Sequence, residues 1–273
     1  MNTQMAAKLA RFQRPELSLP YLNGVDDAVI AALFGLTADE YRSLRADFAE
    51  QAGSTAADLL AEPGFAEQVD RIPFGTGAHV AVLGESSAAD RLSWFEILRH
   101  LIALRRPDDA ITFTNLAVSG ATTTQTLKGL AALGFRRPDW VLCQLGANDA
   151  QRLGADGPRV VSAEEMARNL TLLHDEGVRL TDARWIWITP HDMDEQRIAS
   201  FPPFQQAQIS WRAKDHEETA RTLRDRPEPV IDTLAVTRPS SGHQLFEPDG
   251  VHLTPAGQAA VARTVVSSLA TLP

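Results

Sequence analysis

The feature that most restricts the fold is an alternation of short apolar runs with longer helical patterns from residue 79 onward. Each apolar run has five to eight residues and is bounded by Gly, Pro or Asp, which is typical of a strand buried on both faces of a sheet. The predicted strands are His79–Leu83, Ile111–Val118, Trp140–Leu145, Arg184–Thr189 and Val230–Leu234.

Helical patterns occupy the intervals between these runs. The predicted helices are Leu92–Arg105, Thr123–Leu133, Ala163–Glu176, Gln205–Arg224 and Pro255–Leu269. Repeated strand–helix–strand units place parallel strands in one sheet and helices on both of its faces. The chain is therefore predicted to adopt an α/β fold, a three-layer αβα sandwich with a five-stranded parallel sheet.

The N-terminal part of the chain has a different character, because residues 25 to 70 are rich in Ala, Leu, Asp and Glu at helical spacing. Three helices are predicted there, and Thr37 with Glu40 forms a capping box at the start of the second. These helices are Asp26–Phe34, Thr37–Gln51 and Thr55–Leu60. We therefore predict a helical N-terminal extension, residues 1–75, packed on a main domain, residues 76–273.

Composition narrows the range of partners. The formal net charge of −9 and the lack of a basic block argue against binding of nucleic acid. A single cysteine, Cys143, excludes an internal disulfide and a multi-cysteine metal site. No apolar run approaches the roughly 18 residues of a membrane span, and the first residues lack the apolar core of a signal peptide. We expect a cytoplasmic protein with a small-molecule substrate and no membrane partner, and a homodimer stays open.

Small polar residues follow three of the predicted strands and precede the last helix. Open parallel sheets bind ligands beyond the carboxyl ends of their strands, so these residues are the first candidates for a site. The four segments are Gly84-Glu85-Ser86-Ser87, Ser119-Gly120, Gly146-Ala147-Asn148-Asp149 and Asp249-Gly250-Val251-His252.

These residue types suit nucleophilic catalysis. A serine hydroxyl attacks an acyl carbon only when a neighbouring base takes its proton, and His252 is the candidate base. Asp249 can fix the tautomer and orientation of the His252 ring. The residues alone leave two candidate nucleophiles, Ser86 and Ser87. The stretch Gly84-Glu85-Ser86-Ser87-Ala88 also looks like the nucleophile elbow of α/β-hydrolases, but the helical segment upstream of it disfavours that fold.

The four segments, in this order, resemble the SGNH or GDSL family of serine hydrolases. Gly84-Glu85-Ser86 is similar to the family's first block, and the second is matched from Asn115 to Gly120. The third is matched by Gly146 to Asp149, and the last by the Asp249/His252 pair. The resemblance covers roughly residues 78 to 270. It implies a flavodoxin-like SGNH hydrolase fold and an esterase that works through an acyl-Ser86 intermediate, with Ser86, Asp249 and His252 as the triad.

The resemblance also implies an oxyanion hole made by the backbone N–H groups of Ser86 and Gly120 and the side-chain amide of Asn148. It implies no metal and no organic cofactor. One position departs from the family, because Glu85 stands where the family has Asp. That departure keeps open a weakly active or non-catalytic binding module of the same fold. An acyltransferase that uses the same acyl-enzyme also stays open, because an acceptor other than water can attack that intermediate.

Substrate contacts are expected from loops at the same edge of the sheet. The candidates are Glu85 beside the serine, His191 after the fourth strand, and Phe201 and Phe204 in the segment that follows. Aromatic side chains in this place would line an acyl or aromatic pocket. Packing against the next helix is the alternative role for Phe204.

Overall fold

A five-stranded parallel sheet forms the centre of the protein, which confirms the predicted fold class. The computed structural model describes residues 3–18, 25–154, 156–238 and 245–273. In chain order the strands are β1 (His79–Gly84), β2 (Thr112–Asn115), β3 (Trp140–Gln144), β4 (Arg152–Leu153), β5 (Arg184–Ile188), β6 (Ile209–Ser210) and β7 (Val230–Ile231). The sheet has the order β2-β1-β3-β5-β7, and β4 pairs with β6 in a separate antiparallel ribbon.

Helices precede the sheet and connect its strands. They are α1 (Thr3–Phe12), α2 (Pro15–Ser18), α3 (Asp27–Leu33), α4 (Ala38–Leu60), α5 (Phe65–Asp70), α6 (Ser86–Ala89), α7 (Trp94–Arg105), α8 (Thr123–Gly129), α9 (Ala131–Arg136), α10 (Ala163–Thr181), α11 (Glu195–Ser200), α12 (Pro202–Ala207), α13 (Ala213–Arg224) and α14 (Pro255–Leu269). Two short 3₁₀ helices, Pro107–Asp109 and Ala235–Thr237, lie in connections.

The two faces of the sheet carry two separate apolar cores, because successive strand residues point to opposite sides. Val80, Val82 and Leu142 pack with residues of α4, α5, α7 and α14 on one face. Ala81 and Val141 pack with residues of α9, α10 and α13 on the other face. The helices on both faces complete the three predicted layers.

The N-terminal helices pack against the first of these layers, and α4 lies along α7. The predicted capping box is present, since the Thr37 hydroxyl accepts from the Glu40 N–H and the Glu40 carboxylate accepts from the Thr37 N–H. The two predicted helices around Gly53 are a single helix. Thr55 lies inside α4, and its hydroxyl donates to the Gln51 carbonyl one turn earlier in the same helix. Residues 1–2 and 19–24 of the predicted extension lie outside the described residues.

Two predicted helices are divided in the structure. The pattern from Thr123 to Leu133 forms α8 and α9, with a break after Gly129. The pattern from Gln205 to Arg224 contains α12, β6 and α13. Gln208 takes a left-handed conformation with φ of 51° at the end of α12, and the following residues pair with β4. Long-range strand pairing therefore overrides the local helical pattern at this point.

Candidate active site

Asp249 and His252 are in direct contact in the loop before α14. One Asp249 oxygen accepts from His252 Nδ1 at 2.9 Å, and the other accepts from the backbone N–H groups of Val251 and His252 at 3.0 and 2.9 Å. Burial would raise the pKa of Asp249, but the hydrogen bonds and charge of His252 outweigh it and hold that pKa far below its usual range. The ionised carboxylate keeps the proton on Nδ1 and leaves Nε2 as an acceptor.

The tight loop between these two residues depends on Gly250. Its φ of 72° lies in the left-handed region, and a Cβ at this position would be 2.6 Å from the Asp194 carbonyl oxygen. A side chain here would therefore push the loop away from α11. The glycine allows Asp249 to reach back to His252.

Ser86 and Ser87 begin α6 directly after β1, and both are buried. Ser86 is 8% exposed, and the hydroxyl of Ser87 lies 3.1 Å from His191 Nδ1. His191 Nε2 donates to the carbonyl of Val251 at 2.8 Å, so Nδ1 must accept from Ser87. Two hydrogen bonds through His191 thus join the serine turn to the loop of His252.

His191 differs from His252 in its environment. Burial lowers the pKa of His191 to about 4, so the ring is neutral at pH 7. The side chain of His252 is 23% exposed and has Asp249 as its carboxylate partner, whereas His191 has a backbone carbonyl. Among the described residues, the hydroxyl of Ser86 makes no hydrogen bond, to His252 or to any other group. The structure therefore brings the two loops together without forming the Ser86–His252 contact.

Two of the three predicted oxyanion donors are open. Within the described ranges the backbone N–H groups of Ser86 and Gly120 donate to no acceptor. Gly120 lies in the turn after β2 with φ of 80°, a left-handed conformation that favours glycine. Asn115, which begins the same segment, ties it to the serine helix, because its amide donates to the Ala88 carbonyl at 2.8 Å.

The third predicted donor, the Asn148 amide, is held by neighbours. Its Nδ2 donates to Glu85 Oε2 at 2.8 Å and to the carbonyl of Ala121 at 3.2 Å. Glu85 also accepts from the backbone N–H groups of Ala147 and Asn148, at 3.2 and 3.0 Å. Glu85 is only 2% exposed, and burial raises its pKa to about 8 against the opposing effect of the Asn148 N–H groups.

The contacts of Glu85 explain what its extra methylene does. The longer side chain reaches from the serine turn to the neighbouring turn after β3, where it contacts backbone and side-chain donors together. Both of its oxygens are engaged with the protein, so the structure places Glu85 as a support of Asn148. Its predicted contact with substrate stays a prediction.

Comparisons with known proteins give the family of the chain and its fold. Residues 70–260 match the model of the GDSL-like Lipase/Acylhydrolase family. The chain belongs to the GDSL-like lipase/acylhydrolase family. It is a carboxylic ester hydrolase, as the four sequence blocks predict. No curated protein matches it in sequence.

Solved structures of a hydrolase and of two esterases share its fold. LAE5, an alpha/beta hydrolase enzyme from the metagenome of Lake Arreo, aligns with a TM-score of 0.56 at 18% identity, over 74% of this chain and 99% of that chain. Axe2, an acetylxylan esterase from Geobacillus stearothermophilus, aligns with a TM-score of 0.57 at 19% identity, over 71% and 95% of the two chains. The esterase EstA from Pseudoalteromonas sp. has a TM-score of 0.51 and 20% identity, over 70% and 96%.

The aromatic candidates of this GDSL-like chain form a cluster next to the turn of Asn148. The rings of Phe201 and Phe204 lie 4.9 Å apart, and Phe204 packs on Trp211 at 5.1 Å. Trp211 donates from Nε1 to the carbonyl of Ala147 at 3.0 Å. Phe204 is thus part of a packed cluster, and the role of both Phe residues in binding stays a prediction.

One contributor to the GDSL-like site was missed by sequence reasoning, namely helix α1. The ring of Phe12 lies 4.6 Å from the ring of His252, and Lys8 Nζ is 3.5 Å from Asp249 Oδ2. The available signal was the spacing of Lys8, Arg11 and Phe12, which places the three side chains on one side of a helix. Nothing in that spacing indicated which surface they would meet.

The described residues include no group of three His, Cys, Asp or Glu side chains arranged to hold a metal ion. None of the helices in the described ranges combines the length and apolarity needed to cross a bilayer.

Proposed function

We propose that the protein hydrolyses the ester of a small acylated substrate through an acyl-Ser86 intermediate. His252 serves as the general base and then as the general acid, and Asp249 orients its ring. The observation that carries this proposal is the Asp249–His252 pair, in which the carboxylate holds Nδ1 while Nε2 bonds to no group among the described residues.

The reaction has two acyl-transfer steps. His252 Nε2 takes the Ser86 proton as the hydroxyl oxygen bonds to the acyl carbon, and the resulting imidazolium protonates the leaving alcohol as the ester bond breaks. Water then attacks the acyl-enzyme in the same way, releasing the acid and restoring Ser86. Movement of the Ser86 hydroxyl toward His252 is required, because these two side chains are not hydrogen-bonded in this structure.

Charge develops on the acyl oxygen in both steps. The open N–H groups of Ser86 and Gly120 are available to it without breaking any existing hydrogen bond. The Asn148 amide can join them if it gives up its longer hydrogen bond, the one of 3.2 Å to the Ala121 carbonyl, and donates that hydrogen to the oxyanion instead. The stronger bond to Glu85 would hold the amide in place.

Two comparisons support this assignment. Axe2 has been solved as catalytic mutants in which an aspartate, or a histidine three positions further along its chain, is replaced by alanine. Asp249 and His252 have the same spacing.

Because Ser86 is buried and Phe12 covers one side of His252, we propose a short acyl group such as acetyl. We also propose the cytoplasm as the compartment, since a single cysteine suits reducing conditions.

A panel of p-nitrophenyl esters from acetyl to palmitoyl, with acetylated sugars and acyl thioesters, tests the proposal. We expect the highest kcat/KM for the shortest acyl chains, and loss of all turnover in Ser86→Ala. Turnover of short esters that persists in Ser86→Ala but is absent in Ser87→Ala would favour the Ser87–His191 pair instead. No turnover of any ester by the wild type would contradict the proposal.

A further inference from the structure

Helix α1 joins the two loops that carry the proposed catalytic residues. Arg11 binds both oxygens of Asp90, just after the serine helix, at 2.8 and 2.7 Å. The same guanidinium donates to Glu247 at 2.8 Å, in the loop of His252. Arg14, two residues beyond the end of the helix, donates to the carbonyl of Ala89 at 2.9 Å. The helix is thus fixed to both sides of the site, although it lies outside the residues that match the family.

Two side chains of α1 lie directly on the Asp249–His252 pair. Phe12 is 6% exposed, and its ring is tilted by 47° to the ring of His252 at 4.6 Å. Lys8 pairs with Asp249 at 3.5 Å, on the oxygen that also accepts from His252. The Lys8 side chain is half-exposed, and its ammonium lies 5.9 Å from the centre of the Phe201 ring.

We propose that α1 is part of the active site, with Phe12 and Lys8 as positioning residues for the catalytic pair. The inference rests on the proposed function, because it takes His252 as the base. Phe12 restricts the rotation and displacement of the His252 ring, while Asp249 fixes its Nδ1 side. The Lys8 ammonium partly neutralises the Asp249 carboxylate. The carboxylate therefore stabilises the imidazolium form of His252 less than it would alone.

Other charged and titratable groups contact the loop that carries this pair, from the elements packed around it. They are Arg11 from α1, Glu247 from the same loop, His191 from the segment after β5, and Asp194 and Arg197 at the start of α11. Arg11, Asp194 and Arg197 are themselves in ion pairs, and His191 is neutral. Among the described Lys and Arg side chains, Lys8 is the one that forms an ion pair with Asp249.

The role of Phe12 is tested by Phe12→Ala and Phe12→Leu, with Phe34→Ala as the matched control. Phe34 is a buried aromatic of the same N-terminal segment, but it packs against Tyr41 rather than His252. We expect kcat to fall about tenfold or more in Phe12→Ala with KM little changed, and to recover partly in Phe12→Leu. Phe34→Ala should lower the melting temperature and leave kcat unchanged below it.

An equal fall of kcat in Phe34→Ala, or an unchanged kcat in Phe12→Ala, would overturn the role of Phe12. Labelling of wild-type enzyme by a fluorophosphonate is measured in parallel. If the wild type is labelled while the Phe12 variants behave as the control, this inference fails and the proposed function stands. If the wild type is not labelled, the proposed function fails first.

The role of Lys8 is tested by Lys8→Met, with Lys128→Met on the exposed side of α8 as control. Removing the ammonium leaves the full charge of Asp249 beside the imidazolium. The acidic limb of the kcat/KM profile should therefore move to higher pH, by about 0.3 to 0.5 pH units at low salt, and less at high salt. Lys128→Met should leave the profile unchanged. A Lys8→Met profile that superimposes on that of the wild type would overturn the role of Lys8.

Discussion

Replacing Glu85 by glutamine should remove a pH dependence from the stability of the protein. Burial, with the charge of Asp149 adding to it, raises the pKa of Glu85 from 4.5 to about 8, against the opposing N–H groups of Ala147 and Asn148. The folded protein therefore binds a proton at Glu85 more tightly than the unfolded chain does. The stability that this proton contributes is complete below pH 4.5 and is lost as the pH rises to about 8.

The size of the effect follows from that difference in pKa. Each unit corresponds to about 1.4 kcal/mol, so wild type should lose about 3 to 5 kcal/mol of unfolding free energy through Glu85 between pH 5 and 8.5. Glu85→Gln cannot ionise and avoids this loss. The variant carries a fixed cost of about 1 to 3 kcal/mol, because its amide NH₂ faces the N–H donors of the Asn148 turn.

Urea unfolding followed by tryptophan fluorescence, at intervals from about pH 5 to about pH 8.5, measures both curves. Glu85→Gln should be less stable than wild type at about pH 5. The difference in unfolding free energy between the two proteins should vanish or change sign by about pH 8.5. Glu96→Gln is the matched control. Glu96 is partly buried, but its pairing with Arg14 and Arg99 keeps its pKa low, so the stability difference between Glu96→Gln and wild type should stay constant in this range. Parallel curves for wild type and Glu85→Gln would refute the reasoning.

Three further outcomes are expected. Asn148→Ala should lower kcat about 100-fold with a small change in KM, measured with p-nitrophenyl acetate, and an unchanged kcat would remove Asn148 from the oxyanion hole. Gly250→Ala should cost more stability in urea than Gly120→Ala, because only the former meets a backbone atom, the Asp194 carbonyl, within 4 Å; equal losses would contradict this. Burial lowers the pKa of His191 and His216 to about 4, so each should withdraw about 3 kcal/mol of stability as the pH falls from 6.5 to 4. A urea midpoint that stays constant over that interval would contradict the last expectation.

The sequence predicts the sheet well because its evidence is local. Apolar runs bounded by Gly, Pro or Asp identify all five central strands, and Thr254 with Pro255 marks the start of α14 where the structure has it. The division between α12 and α13 was not predictable in the same way. It depends on Gln208 and on the pairing of β6 with β4, whose residues are more than 50 positions apart in the chain.

The site was predictable in its parts and less so in its connections. The Asp249–His252 contact follows from three-residue spacing within one loop. The destination of the Glu85 carboxylate depends on where the turn after β3 lies, 62 residues further along the chain. The contacts of α1 depend on packing across 79 residues to Asp90 and 236 residues to Glu247. Residue patterns within a short stretch of sequence do not indicate which distant residues will form these hydrogen bonds.

The identity of the nucleophile is the central claim, and fluorophosphonate labelling tests it most directly. Wild type, Ser86→Ala and Ser87→Ala are treated at about pH 7.5, and intact mass counts the adducts on each protein. We expect one adduct on wild type and on Ser87→Ala, and none on Ser86→Ala. An adduct that survives in Ser86→Ala and disappears in Ser87→Ala would contradict it, and would assign the reaction to Ser87 and His191.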